Sequence, residues 1–457
     1  MRYRLFALLL ALALLSGCEV FGVSLAPTPS PTAAPTKPPA TSIPPPKAPP
    51  TTAPEPTAAP AVAPTSAPDP TQSGETVDAK TEAEIEQIED DTANLRGLQP
   101  KENVPETFIS PEQLRANLKE QLDKDYSPEE GRRDTLELWL LRLIDDRSID
   151  LYQLQLDLLS EQVLGYYDPK TNEFFVLGSQ TELTPLARET IAHEFVHSLQ
   201  DQHYDLEKMR PDNLDDDRSR AISALIEGDA TVSGLQYAQQ HMSPTELATL
   251  LRESGAASTA TLDRAPAYIR ESLIFPYQAG AQFIVALARS GGYAAVDTAL
   301  ADPPQSSEQI LHPEKYQGTP RDEPLPIAMV ALTDTLGANW TYQDSDTLGE
   351  FDFSILLREN GVSDPDKAAG GWGGARYALY QNGEQALVIL GTRWDSAADA
   401  SEFAAALEQS LAKAKRAGDL WSDGDRFVGF VQRDDQVIYV AGTEQAATEQ
   451  ALAAATR

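Results

Sequence analysis

Five residues of the chain carry the pattern that could do chemistry: His193-Glu194-Phe195-Val196-His197. Histidines at i and i+4 project from one face of a helix, so both imidazoles can ligate one zinc ion. A glutamate directly after the first histidine can take a proton from an attacking water, as a general base does. Three of the chain's five histidines fall between His193 and His203, which argues against an incidental match on a solvated helix.

A catalytic zinc needs a third protein ligand and an open position. His203 stands six residues after His197, the ligand spacing of the metzincin pattern HExxHxxGxxH. That pattern requires a glycine, which lets the helix stop and the chain turn back toward the metal, where this sequence has Gln200. None of Met1, Met209, Met242 and Met329 sits in a persuasive Met-turn. The other candidate is Glu227, in Ala221-Ile222-Ser223-Ala224-Leu225-Ile226-Glu227-Gly228-Asp229-Ala230, a stretch that reads as a second helix. A glutamate in so apolar a stretch is costly unless it is paired or bound to metal, which favours Glu227 and leaves His203 as the alternative. Asp229 and Asp201 are candidates to orient a histidine, although acidic residues are so abundant that either one could simply face solvent.

Together, Gly165-Tyr166-Tyr167-Asp168-Pro169, the run His193 to His203 and Glu227-Gly228-Asp229-Ala230 resemble bacterial extracytoplasmic metallopeptidases of the gluzincin, or peptidase MA-like, group. The segment Phe275-Pro276-Tyr277-Gln278-Ala279-Gly280-Ala281-Gln282-Phe283 resembles the tyrosine-containing helix that often follows in that group. The resemblance spans about residues 160 to 320 and is specific mainly at HExxH. It implies that His193, His197 and Glu227 hold zinc and that Glu194 is the general base. Peptide hydrolysis also needs a donor to the carbonyl oxygen, which gains negative charge in the transition state. Tyr277 is the first candidate and His312, in Leu311-His312-Pro313, the second. The strand Glu173 to Leu177 is expected to lie along the cleft and pair with an extended substrate, as zincin edge strands do.

These residues need elements to hold them. Ile85, Ile88 and Leu95, then Leu114, Leu118 and Leu122, then Leu136 to Ile144 and Leu151 to Leu159 recur at helical spacing. Two aromatic-rich runs around Asp168-Pro169-Lys170-Thr171-Asn172 predict a hairpin between Val163 and Leu177. Thr184-Pro185 predicts the start of the HExxH helix, which should run to about Leu199. Beyond Asp364 the order is β-β-α-β-β-α: strands at 376–380 and 385–390, an alanine-rich helix at 397–417, strands at 427–431 and 437–440, and a last helix. Gly370-Gly371-Trp372-Gly373-Gly374 lacks the lysine and the strand-to-helix context of a phosphate loop. The expected fold class is α+β: a mostly helical zincin-like catalytic domain with a small edge-exposed sheet at 77–363, and a small α+β module at 364–457.

The first 76 residues read differently. Arg2 and Arg4 precede an apolar run from Leu5 to Leu15 that is short for a membrane span, and Leu15-Ser16-Gly17-Cys18 resembles a lipobox. Residues 1–17 are therefore expected to be a lipoprotein signal peptide, with the chain's single cysteine, Cys18, as the lipid attachment point. Seventeen prolines between Pro27 and Pro70, interleaved with Ala and Thr, make 18–76 a polyproline-rich tether. Such a segment can reach on the order of 130 Å. One cysteine excludes an intrachain disulfide scaffold. A net charge of −34 excludes nucleic acid as a partner and electrostatic adhesion to anionic lipid. The expected protein is a membrane-anchored zinc metallopeptidase acting on peptides outside the cytoplasmic membrane. The alternatives are a non-catalytic zinc-binding lipoprotein displayed on a stalk and a zinc hydrolase of another bond. The residues name neither a substrate nor an oligomeric state.

Overall fold

The computed structural model describes residues 78–177, 183–211, 213–256, 259–329 and 331–456, together with the backbone of Leu9–Leu10. Cys18 and the tether lie outside the described residues. The fold is α+β, and the described residues from 78 onward belong to one compact unit.

A two-residue strand, β1 (Leu9–Leu10), comes first. The helical part then opens with α1 (Ala79–Arg96), strand β2 (Glu106–Ile109), α2 (Pro111–Asp125), α3 (Pro128–Leu140) and α4 (Leu151–Gln162). Local chemistry sets these ends. Asp78 caps α1, while Ser110 and Ser127 form capping boxes with Gln113 and Glu130 ahead of a first-turn proline. The third helix stops at Leu140, short of the Ile144 that periodicity suggests. There Arg142 adopts φ 62°, a left-handed conformation costing about 1–2 kcal/mol away from glycine. Its guanidinium is held by Ser410 and Asp423 at 2.8 and 3.0 Å, which offsets that strain.

The predicted hairpin forms as β3 (Gly165–Asp168) and β4 (Glu173–Leu177), with Asn172 in the turn at φ 53°. The sheet order is β1-β3-β4-β2, so β4 is flanked on both sides: antiparallel by β3 and parallel by β2. This corrects the expectation that Glu173 to Leu177 offers the substrate-pairing edge. The cause is β2, four residues too short to show periodicity, which occupies that edge. The outer side of β3 carries the backbone of Leu9–Leu10.

Helices then dominate: α5 (Pro185–Tyr204), α6 (Leu206–Met209), α7 (Asp216–His241), α8 (Pro244–Ala256), α9 (Ala260–Arg264), α10 (Ala267–Gly291), α11 (Tyr293–Ala301), α12 (Ser307–Leu311), α13 (Pro313–Gln317) and α14 (Thr333–Leu336). The remainder is β5 (Thr341–Asp346), α15 (Glu350–Glu359), α16 (Pro365–Ala369), β6 (Trp372–Asn382), β7 (Gln385–Trp394), α17 (Ala397–Ser410), β8 (Lys415–Ala417), β9 (Leu420–Asp423), β10 (Arg426–Arg433), β11 (Gln436–Gly442) and α18 (Gln445–Ala455). Seven antiparallel strands form one sheet in the order β5-β6-β7-β11-β10-β9-β8.

Two details depart from the sequence reading. The sheet begins at Thr341, ahead of the boundary expected at 364, and the alanine-rich helix ends at Ser410, giving way to the β8–β9 hairpin around Gly418 at φ 68°. One hydrophobic core runs from Ile85 through Phe283 to Val437 and Tyr439, so helices and sheet share an interior. Buried polar side chains join them: the Tyr439 hydroxyl donates to the Leu140 carbonyl at 2.9 Å, and Tyr377 donates to Glu137.

Candidate metal centre

The centre is assembled by α5, α7 and α10. Thr184 caps α5 through the Ala187 amide, and the helix runs five residues past Leu199 to Tyr204. Its centre, Ile191 to Gln200, is buried throughout, which explains the absence of a polar face around HExxH. Helix α7 is also buried across Arg220 to Ala230. It packs on α5 on one side and on α10 on the other. The second contact is unusually close: a Cβ on Gly280 would lie 2.1 Å from the Ala224 carbonyl oxygen, and one on Gly228 only 2.3 Å from Gly280 C. Only glycine at both positions lets the two helix backbones touch. Glu227 and Tyr277 flank that crossing, each one turn or less from a touching glycine.

Three donor atoms meet in the resulting space. His193 Nε2 and His197 Nε2 are 3.2 Å apart, and Glu227 Oε2 lies 3.4 Å from the first and 3.3 Å from the second. A tetrahedral zinc with bonds of about 2.0–2.1 Å separates its ligand atoms by about 3.3–3.4 Å. The triangle therefore has the edge lengths of one face of a zinc coordination tetrahedron, and the donor set suits that metal. All three side chains are buried, as is Glu194. Burial by itself would raise the Glu227 carboxyl, but the adjacent His197 and His193 outweigh it and hold it down to about 2. Glu227 is thus kept in the carboxylate form that a metal requires.

Glu194 points toward the hairpin. A Cβ on Gly165 would come 3.6 Å from Glu194 Cγ and 3.0 Å from Thr190 Cγ2, so β3 lies directly against this turn of α5. The Tyr277 ring stacks on His193 with centroids 6.3 Å apart and an interplanar angle of 25°. The other candidates sit elsewhere. His203 Nε2 is 2.8 Å from the Gln99 carbonyl oxygen, because α5 continues as a helix through Gln200 and does not turn back toward the metal position. His312 lies between Glu350, at 2.9 Å, and Glu314, at 3.8 Å, and is not in the cluster. Asp201 accepts from the Tyr167 hydroxyl at 2.9 Å and the Leu206 amide at 2.9 Å, tying β3 to the end of α5.

Three further residues belong to this neighbourhood and carried no sequence signal. Gln200 lies 2.9 Å from His197 Nδ1. Arg96, from α1, forms a fully buried ion pair with Asp229 at 2.7 Å. Burial lowers the pKa of the Arg210 guanidinium, and the nearby Glu227 carboxylate opposes that shift. Each is a common polar residue whose role depends on an element distant in sequence.

Comparisons with known proteins reach a different part of the chain. Residues 338–453 match the family described as Domain of unknown function (DUF8575), which takes in the seven-stranded sheet. No curated protein and no solved structure matches the chain. Among the described residues, no helix is long and apolar enough to cross a membrane.

Proposed function

We propose that this chain is a zinc-dependent metallopeptidase of the gluzincin kind, with His193, His197 and Glu227 as zinc ligands and Glu194 as general base. One observation carries this reading: two imidazole nitrogens and a carboxylate oxygen converge at 3.2–3.4 Å in a buried site, with Glu194 on the helix that carries both histidines. Zinc held there supplies Lewis acidity toward a carbonyl oxygen and toward water. Glu194 takes a proton from the attacking water as its oxygen bonds to the peptide carbonyl carbon. The same carboxyl returns that proton to the amide nitrogen as the C–N bond breaks, leaving a free acid and a free amine. Tyr277, whose ring stacks beside that of His193, would donate its hydroxyl hydrogen to the carbonyl oxygen as negative charge builds there. Anchoring through Cys18 on a proline-rich tether places this activity outside the cytoplasmic membrane.

The test is Glu194→Gln, which keeps size and hydrogen bonding but removes the base. Zinc content should stay at one per chain while peptide cleavage falls by about 10²–10⁴-fold. Cleavage at the wild-type rate by that variant overturns the mechanism. Stoichiometric zinc in a wild-type chain that cleaves no casein or peptide library supports the non-catalytic, zinc-displaying alternative.

A further inference from the structure

We propose that Gln200 fixes the tautomer and aim of His197, and that Arg96, through Asp229, holds Gln200 in place; this rests on the metal-centre reading above. The residues form one buried chain across three helices. Gln200 Oε1 is 2.9 Å from His197 Nδ1, while Gln200 Nε2 donates to the Ile226 carbonyl at 3.0 Å and to Asp229 Oδ2 at 2.9 Å. Arg96 Nε then spans both oxygens of Asp229, at 2.7 and 3.0 Å, and Arg96 Nη2 reaches Asp297 at 2.7 Å. The Tyr293 ring lies 4.6 Å from the guanidinium carbon. Gln200, Arg96 and Asp229 are fully buried.

The direction of every hydrogen bond follows from the ends of this chain. The Ile226 carbonyl and the Asp229 carboxylate can only accept, so both hydrogens of the Gln200 amide must point at them. Turning the amide over would set its oxygen against two acceptors. The amide oxygen therefore faces His197, and Nδ1 must be the nitrogen that carries the hydrogen. That leaves Nε2, which faces His193 Nε2 and Glu227 Oε2, as the nitrogen to offer a lone pair to a metal. Gln200 thus has a positive role at the position where the metzincin pattern would require glycine. Arg96 acts at one remove: its fork fixes both oxygens of Asp229 and so the acceptor to which Gln200 donates. It also makes α1, the first helix of the folded part, a contributor to a site built on α5 and α7. Gln200 and Arg96 are positioning residues, since neither touches the metal position.

The experiment uses the full chain. Nitrogen-15 histidine NMR of the metal-free protein reads the tautomer, and competition with a chelator reads zinc affinity. Wild type should show a hydrogen held on His197 Nδ1. Gln200→Met, of equal length and without an acceptor, should lose that preference and bind zinc about 10–100-fold more weakly. Arg96→Lys keeps the charge but not the fork and should shift both readouts the same way by a smaller factor, which covers the case that the Gln200 variant does not fold. A merely structural role would lower the melting temperature and leave the tautomer and the zinc affinity of the folded protein unchanged, and that result overturns the proposal. If wild type itself takes up no zinc, the metal-centre reading fails, and this proposal with it. If wild type binds zinc and both variants match it, only this proposal fails.

Discussion

Two clusters of three metal-ligating side chains occur among the described residues, and they have opposite solutions to the same electrostatic problem. In the first, His193, His197 and Glu227 turn their donors toward one another in a buried space, and the one carboxylate of the three faces two imidazole nitrogens. In the second, Glu308, Asp322 and Asp395 surround Lys315, whose Nζ lies 2.6, 3.1 and 2.9 Å from them. The lysine ammonium is already the cation of that site. Three clustered acids are therefore no evidence of a metal until the occupant of their centre has been identified. What separates the two clusters is the donor chemistry: two imidazoles and one carboxylate in the first, three carboxylates around a lysine ammonium in the second.

The sharpest way to break this contrast is Glu227→Ala. Removing the third donor should abolish stoichiometric zinc and with it measurable hydrolysis, read by metal analysis of the purified chain. Zinc retained at one per chain would mean that the triangle is not the ligand set. Next in size is Tyr277→Phe, which deletes one donor to the developing oxyanion. It should lower kcat about 10²-fold with KM and zinc content nearly unchanged; an unchanged kcat would return Tyr277 to a packing role.

The second cluster supplies smaller effects. Lys315→Met leaves three carboxylates without their cation and should cost about 1 kcal/mol, since the site is partly exposed. Millimolar calcium should restore that stability in the variant and do nothing for wild type, as followed by thermal unfolding. The smallest effect concerns His312. Its hydrogen bond to Glu350 raises its pKa above the ordinary 6.5. A raised folded value contributes stability that is fully present below pH 6.5 and is lost as pH rises through the folded value. The melting-temperature difference between wild type and His312→Gln should shrink over that range, and a difference independent of pH would contradict the assignment.

Legibility in the sequence followed the distance over which each feature is determined. The helix start at Thr184-Pro185 is a local hydrogen-bonding fact and was readable. So was the Val163–Leu177 hairpin, whose turn chemistry is contiguous. Glu227 was readable only as an anomaly, a carboxylate in an apolar helix. The role of β4 was not readable, because β2 reaches it from more than 60 residues away and is only four residues long. Gln200 looked like a defect in another family's pattern. It gains meaning only when Ile226 and Asp229 come within hydrogen-bond reach.

By itself the sequence determined the spacing of His193, Glu194 and His197, because a helical turn converts i, i+4 into one face without help from the rest of the chain. It also determined the α+β class, through periodicity and turn residues. Only the tertiary structure decided which acid completes the triangle, which strand flanks the centre and which residue faces His197 Nδ1. Those choices depend on helices packing at the close approach that Gly228 and Gly280 permit, and on buried polar groups finding partners far away in sequence.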